Sequence, residues 1–302
     1  MTPQNDILND PNYLPVYDYG FVGLVDVMGD DSTPPQRARI SYGKGTKSVS
    51  DDRNLLRYLI RHKHNTPVEM VELVFHLKMP IFVMRQHVRH RTATINEYSA
   101  RYSEMSNEFY IPNHEDIALQ SKTNKQGRDE AAFDPDALVE FETKEKVQHL
   151  MKVSYEQSFE TYEELLKMGL ARELARAPLP VANYTECFWK VNLYNFFHYC
   201  SLRRDSHAQL EIRMLADAMF ELVQQRLPVS CEAFNDYIFE AVTFSRMEMK
   251  MLRDMFLMGG CSFNTFIKNN GGEESVLSKF GVSKRELEEF RAKISEHIIY
   301  HA

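Results

Sequence analysis

Cysteine is scarce in this chain: four residues in 302, at positions 187, 200, 231 and 261. None is spaced Cys-x-x-Cys, which disfavours both a structural zinc site and a disulfide framework. No apolar run reaches the length of a membrane span. The first residues, Met1 to Asp18, are rich in Asn, Asp and Pro, without the apolar core of a secretory leader. A cytoplasmic protein that does not engage membranes is therefore expected. Basic residues are outnumbered, with 36 Lys and Arg against 43 Asp and Glu and a net charge of −7, which argues against a generic nucleic-acid coat. There is no internal repeat and no Gly-x-Gly-x-x-Gly fingerprint, so any dinucleotide must be held by another architecture.

Against that acidic background one stretch stands out, Pro80 to Tyr110. Arg85, Arg89, Arg91 and Arg101 fall here with His87 and His90, interleaved with Gln86, Asn96, Glu97, Ser99 and Tyr102. Guanidinium forks match phosphate oxygens, and hydroxyl and amide neighbours complete such a pocket. A solvated basic helix face followed by a polar loop is the alternative. The spacing predicts a helix with Pro80 in its first turn and Ile81, Met84 and Val88 on its apolar face. Arg85 and Arg89 would share another face, where an anion relieves their repulsion. The pattern ends at Arg91, and Thr92 to Thr94 begins a loop.

The run Arg89-His-Arg-Thr-Ala-Thr-Ile-Asn-Glu-Tyr-Ser-Ala-Arg-Tyr102 resembles the signature of the flavin-dependent thymidylate synthases, with Thr94 where that signature usually has Ser. Three further segments carry the same resemblance: His64-Asn-Thr-Pro-Val-Glu69, the arginine of Ala171 to Pro180, and Leu202-Arg-Arg-Asp-Ser-His-Ala-Gln209. The likeness spans about Phe21 to Tyr237. It implies an α+β fold with a central antiparallel or mixed sheet flanked by helices, assembled as a homotetramer with active sites between subunits. It also implies reductive methylation of dUMP to dTMP, with FAD as redox cofactor and NADPH and 5,10-methylenetetrahydrofolate as co-substrates.

Residue by residue, the resemblance assigns Gln86, His87, Val88, Arg89, Glu97, Tyr98, Ser99, Ala100 (through its main chain), Arg101 and Arg176 to dUMP. To FAD it assigns His64, Thr66, Arg89, His90, Arg91, Glu97, Asn192, Leu193, Tyr194 and His198, with Glu69 lining the flavin and folate side. Tyr194 stands where some members carry a basic residue. Arg203 is the expected catalyst, stabilising the ionised N3 form of uracil, and His207 is expected to be structural support. Conventional thymidylate synthases place their nucleophilic cysteine after a proline. None of the four cysteines here follows one, so methylation is expected to proceed without an enzyme thiolate. No metal is expected, although His62 and His64 at i, i+2 invite that reading.

The rest of the chain reads as follows. Residues 1–19 form a flexible or draped arm, 20–244 the catalytic domain and 245–302 an appended element beyond the family match, packing on the body. Strands are predicted over Phe21–Met28, Val71–Met79 and Thr185–Val191. Asp51–His62 is an amphipathic helix, and Arg37–Tyr42 a helix or turn. Leu138–Met168 reads as a core-facing helix ended by Gly169, with Leu150 and Val153 among its apolar positions. Asn192–Arg226 supplies helical core faces that include Leu202. Glu115–Asp136 is an exposed loop or insertion, and Ser283 caps a late helix. Two rival functions remain, a nucleotide- or RNA-binding protein without flavin and a metal-dependent hydrolase using His62, His64, His87, His90 and Asp205.

Overall fold

Nine residues, Glu72–Pro80, whose burial alternates at first and is then continuous, make the middle of a sheet. In the computed structural model, which describes residues 7, 9–42, 49–121, 127–129 and 138–297, the strands are Tyr13–Val16 (β1), Gly20–Met28 (β2), Glu72–Pro80 (β3), Thr94–Glu97 (β4) and Tyr184–Asn192 (β7). They run β1-β2-β3-β7-β4, every neighbour antiparallel. Leu119–Gln120 (β5) and Arg128–Asp129 (β6) form a separate hairpin. Helices of the same unit lie against the sheet, giving the α+β fold that the motif resemblance implies.

The three predicted strands are present. The expected alternation along β3 does not put its polar residues in water, however. His76 and Lys78 are buried, Lys78 with its Nζ 2.9 Å from Glu108 Oε2 and His76 held between the Tyr13 hydroxyl and Glu186. Burying an ammonium is tolerable only with such a partner. Part of the expected arm, Tyr13–Val16, is also a paired strand rather than a loose extension; residues 1–6 and 8 lie outside the described residues.

Four other expectations change. The helix after Pro80 spans only Ile81–His87, with Pro80 in extended conformation before it, so Val88 falls past the helix end and is exposed. The segment after Arg91 is not simply loop. Thr94–Glu97 pairs along β7 as an edge strand, from Thr94 opposite Lys190 to Glu97 opposite Cys187. In the Leu138–Lys167 helix Tyr162 is buried, but Leu150 and Val153 face solvent, as does Leu202 in the Leu193–Arg203 helix. Within Glu115–Asp136, Ile117 and Ser121 are buried and the hairpin is anchored through Arg128; residues 122–126 and 130–136 lie outside the described residues. Gly169, at φ +82°, ends the long helix in the left-handed region where glycine meets no Cβ penalty.

Contacts divide the chain into two units, Met1–Phe239 and Glu240–Ala302. The first is cored by Phe75, Leu77, Trp189, Phe196 and Phe234. The second is helical, with its own core of Met251, Phe266, Val276, Phe280 and Phe290. Three of its helix starts are capped by serines, Ser245, Ser262 and Ser283, while Glu273–Phe280 begins after Gly272. Ser245 and Glu248 form a reciprocal capping box, and Ser283 does the same with Glu286.

Candidate active site

The Ile81–His87 helix is fixed where it leaves β3. Its first two amides, Ile81 and Phe82, donate to the carbonyls of Asn183 and Val181. This brings Gln86 to the end of the Leu193–Arg203 helix, where Arg203 Nη2 donates to the Gln86 carbonyl at 3.0 Å. The Gln86 amide donates to Gln209 Oε1. Arg203 Nε is buried and finds no acceptor among the described residues. An unmatched buried donor costs about 1–3 kcal/mol unless something else supplies the acceptor.

Beneath this pair lies an aromatic box. His87 is fully buried, its Nδ1 3.0 Å from the Tyr199 hydroxyl, and its ring meets Trp189 and Tyr199 edge-on. Burial first, then the proximity of His90 and Arg203, lowers its pKa to about 3. His90 sits edge-on to Trp189, Tyr199 and His198, and burial with His198 and Arg203 lowers it to about 4. Both histidines are therefore neutral at pH 7, and positive charge in this stretch is carried by arginine alone.

Those arginines lack acids. Arg39, Arg53, Arg57, Arg128, Arg172 and Arg204 each hold a carboxylate. Among the described residues, Arg85, Arg89, Arg91, Arg101, Arg176 and Arg203 have none within ion-pair reach. Cations left unpaired at one motif are consistent with an anionic ligand.

A second group forms around a small apolar cluster. Ala100, Met105, Tyr162 and Ala175 are buried together. This places the exposed Arg101 beside the Arg172–Ala175 helix, whose C-terminal flank is Arg176. Ser99 turns the chain, its carbonyl accepting from the amides of Tyr102 and Ser103. The Tyr98 hydroxyl donates to the Glu104 carbonyl, and Glu97 accepts from Thr185 Oγ1 at 2.8 Å. Arg176 Nε donates only to the Glu173 carbonyl. Among the described residues no hydrogen bond joins Ser99, Arg101 or Arg176 to Gln86 or Arg203.

Four of the flavin-assigned residues, His64, Thr66, Tyr194 and His198, border two cavities. One, of about 250 Å³, is lined by Lys63, Asn65, Tyr194, Phe197 and His198. The other, of about 610 Å³, is lined by Arg37, Tyr58, His64, Asn65 and Thr66. Asn192 caps the helix between strand and site, its Oδ1 accepting from the Asn195 amide at 2.9 Å. Leu193 and His87 are wholly enclosed, while Arg89, Arg91 and Val88 are exposed. Neutral His90, unpaired Arg89 and Arg91 and the polar rim of the first cavity form a donor set suited to a flavin cofactor with a pyrophosphate. His62 and His64 are ring neighbours of Tyr58, and no group of three or more metal-ligating side chains occurs among the described residues. His207 is exposed and bonded to Asp205.

Sequence reasoning passed over two residues beside the site. Gln209, the last residue of the second motif, touches Gln86, and Glu211, buried two positions on, holds Gln209. A glutamate placed on a helix face of buried apolar residues, between Leu210 and Ile212, is the available signal.

Comparison with known proteins gives the same direction. The family described as "Thymidylate synthase complementing protein" matches residues 23–229. The chain is 45% identical over 286 residues to a flavin-dependent thymidylate synthase of Dictyostelium discoideum, covering 92% of this chain and 85% of that one. It is 41% identical over 296 residues to one from Rickettsia bellii, covering 94% and 93%. That leaves too little unmatched to be the whole of Glu240–Ala302, so although the family match stops at residue 229, likeness to this relative continues into the second unit. Among solved structures, a UMP/dUMP methylase PolB from Streptomyces cacaoi bound with 5-Br dUMP aligns with a TM-score of 0.62 at 31% identity, covering 74% of this chain and 98% of that chain.

Proposed function

We propose, from the premise that the chain belongs to the thymidylate synthase complementing protein family, that it is a flavin-dependent thymidylate synthase methylating dUMP. The finer reading is that dUMP, 5,10-methylenetetrahydrofolate, NADPH and a proton give dTMP, tetrahydrofolate and NADP, with FAD as the redox cofactor. The observation that carries this is Arg203. It is fixed on the Gln86 main chain and, among the described residues, has no carboxylate partner and keeps one buried N–H without an acceptor.

In this reading Gln86, Arg89, Ser99, Arg101 and Arg176 bind the nucleotide, with Glu97, Tyr98 and the main chains of His87, Val88 and Ala100 completing its surroundings. Arg203 stabilises negative charge developing on uracil, the kind of preorganised electrostatic assistance that contributes most in a water-poor site. Arg89, His90, Arg91, Asn192, Tyr194 and His198 would hold the flavin, with His64, Thr66, Glu97 and Leu193 also assigned to its site. When bound, the flavin supplies the redox chemistry. The chain's own part is to hold the phosphate, orient the ring and keep the two core-side histidines neutral.

A mechanism without an enzyme thiolate belongs to the same proposal. Cys187, Cys200 and Cys231 are buried, and burial pushes each thiol up, away from thiolate. Assembly as a homotetramer with shared sites is supported by the separation of the nucleotide-assigned residues into two groups without a bond between them. The catalytic part is taken as residues 20–244, with a 245–302 extension. A cytoplasmic location completes the proposal; no helix among the described residues is long and apolar enough to cross a membrane.

The test is the visible spectrum of the purified protein before and after dUMP. Flavin bands that shift on adding dUMP support one shared pocket, and turnover with NADPH and methylenetetrahydrofolate then follows. A protein that cannot be reconstituted with FAD overturns the proposal and favours nucleotide binding alone.

A further inference from the structure

One carboxylate lies behind the proposed nucleotide site without belonging to it. Glu211 is 1% exposed, at the start of the Leu210–Arg226 helix. Its Oε1 accepts from the Tyr110 hydroxyl at 3.1 Å and from Arg128 of the polar hairpin, and its Oε2 accepts from Gln209 Nε2 at 2.8 Å. The Tyr17 hydroxyl donates to its carbonyl. Arg128 spans further, donating through Nη1 to the Asp116 carbonyl at 2.9 Å. Burial works to raise this carboxyl, but the Arg128 guanidinium, with the Gln209 amide, outweighs it and holds the group below the usual glutamate range. Glu211 is thus an ionised group that accepts hydrogen bonds and donates none.

That one-way chemistry propagates. Side-chain amides can ordinarily face either way, since their oxygen and nitrogen ends are nearly alike in shape. Here Gln209 must offer its NH₂ end to Glu211, which leaves its oxygen toward Gln86. Gln86 must then offer its own NH₂ end to Gln209, and its amide oxygen is the end left for a ligand. The main chain of the same Gln86 carries Arg203. One buried charge therefore sets the polarity of two amides in succession and steadies the residue on which the proposed catalyst rests.

We propose that Gln209 and Glu211 are positioning residues for nucleotide binding. They fix the Gln86 side chain with its carbonyl oxygen outward, as an acceptor for an O–H or N–H donor of the nucleoside, and hold its backbone against Arg203. This rests on the proposed function, in which Gln86 and Arg203 meet dUMP.

The test compares wild type, Gln209→Leu and Glu211→Gln as purified holoenzymes, by calorimetric titration with dUMP alongside flavin content and Tm. Gln209 is exposed, so Gln209→Leu removes the link without opening the core. It is expected to keep its Tm and flavin, to weaken dUMP binding about tenfold (the factor equivalent to about 1.4 kcal/mol), and to lower kcat/KM for dUMP while the KM for NADPH stays. Glu211→Gln can present either amide end to Gln209 and is expected to lose less dUMP affinity than Gln209→Leu. A wild type that binds dUMP and a Gln209→Leu that binds it equally well overturn the inference alone. Loss of Tm and flavin in both variants, with unchanged dUMP affinity in the folded fraction, also overturns it, as a purely structural role. A wild type that does not bind dUMP overturns the proposed function, and this inference with it.

Discussion

His87 and Tyr199 meet across 3.0 Å in a box that excludes water from both rings. The phenol is pushed well up by burial, so it stays protonated, and the imidazole is lowered to about 3 from its ordinary 6.5. A histidine lowered in the folded state stabilises the fold while neutral. That contribution is complete above the unfolded pKa and is lost as pH falls from about 6.5 toward 3. Between pH 7 and pH 5 His87 should therefore contribute on the order of 2 kcal/mol to the acid loss seen by urea denaturation, at about 1.4 kcal/mol per pH unit across the interval where only the unfolded form is protonated. His90, lowered to about 4, adds to the loss in the same interval. His87→Phe removes the titration but leaves the Tyr199 hydroxyl unpaired, at a cost of about 1–3 kcal/mol. The variant should be the less stable at pH 7, with the gap narrowing at pH 5. Equal slopes in the two proteins would refute the assignment.

How much of this was legible in the sequence follows from where each signal lies. The motif arginines and the Gln86, Arg203 pairing partners sit in short contiguous runs, and the strands of the sheet centre carry their own apolar pattern. His87 reads locally as one more ring among cations, because its burial is created by Trp189 and Tyr199, a hundred residues on. Thr94–Glu97 is polar and becomes a strand only by pairing along β7. Leu150, Val153 and Leu202 have the right period for a core face but are exposed among the described residues. Periodicity specifies a face and not what will cover it.

Arg203→Lys and Arg203→Ala should both fold and bind flavin while losing turnover. A lysine keeps the charge but not the planar fork that reaches the Gln86 carbonyl and leaves Nε for the ligand. Loss of one preorganised donor of this kind costs about 10²–10³ in kcat. Wild-type turnover in Arg203→Ala, measured under saturating co-substrates, would remove Arg203 from the catalytic role.

Arg101 and Arg176 are exposed, each follows an alanine of the same small buried cluster, and neither has an acid partner among the described residues. Each Ala substitution should weaken dUMP binding by about 10–100-fold, since hydrogen bonds to charged groups contribute about 1.5–3 kcal/mol. Tm should change little, because both side chains are exposed and neither forms an ion pair among the described residues; the Arg101 guanidinium lies over the ring of Tyr102, itself exposed, 5.3 Å from its centroid. If uridine lacking the phosphate shows the same loss on calorimetric titration, these residues do not read the phosphate.

Replacing each cysteine by alanine tests the thiolate-free reading. Cys187, Cys200 and Cys231 are enclosed, so their variants should lose some stability as methylene-sized gaps open, about 1 kcal/mol apiece. Turnover per folded enzyme should stay within a few-fold of wild type in all four. A variant with normal Tm and flavin content but no turnover would identify a nucleophile and overturn that part of the proposal.

Asn192 separates structural from ligand roles within one side chain. Its Oδ1 is already committed to the Asn195 amide as a helix cap, which leaves only the Nδ2 end for the flavin. Asn192→Asp keeps the capping oxygen, since aspartate caps as well as asparagine, but replaces the donor end with negative charge. Asn192→Ala loses both, and the missing cap alone should cost about 1 kcal/mol. Asn192→Asp should therefore match wild type in Tm of the apoprotein while its flavin affinity falls, and Asn192→Ala should fall in both. Normal FAD reconstitution of Asn192→Asp would make Asn192 a cap and nothing more. The flavin-facing role would then rest on His198, which lines the cavity beside Tyr194, and on the exposed Arg89 and Arg91.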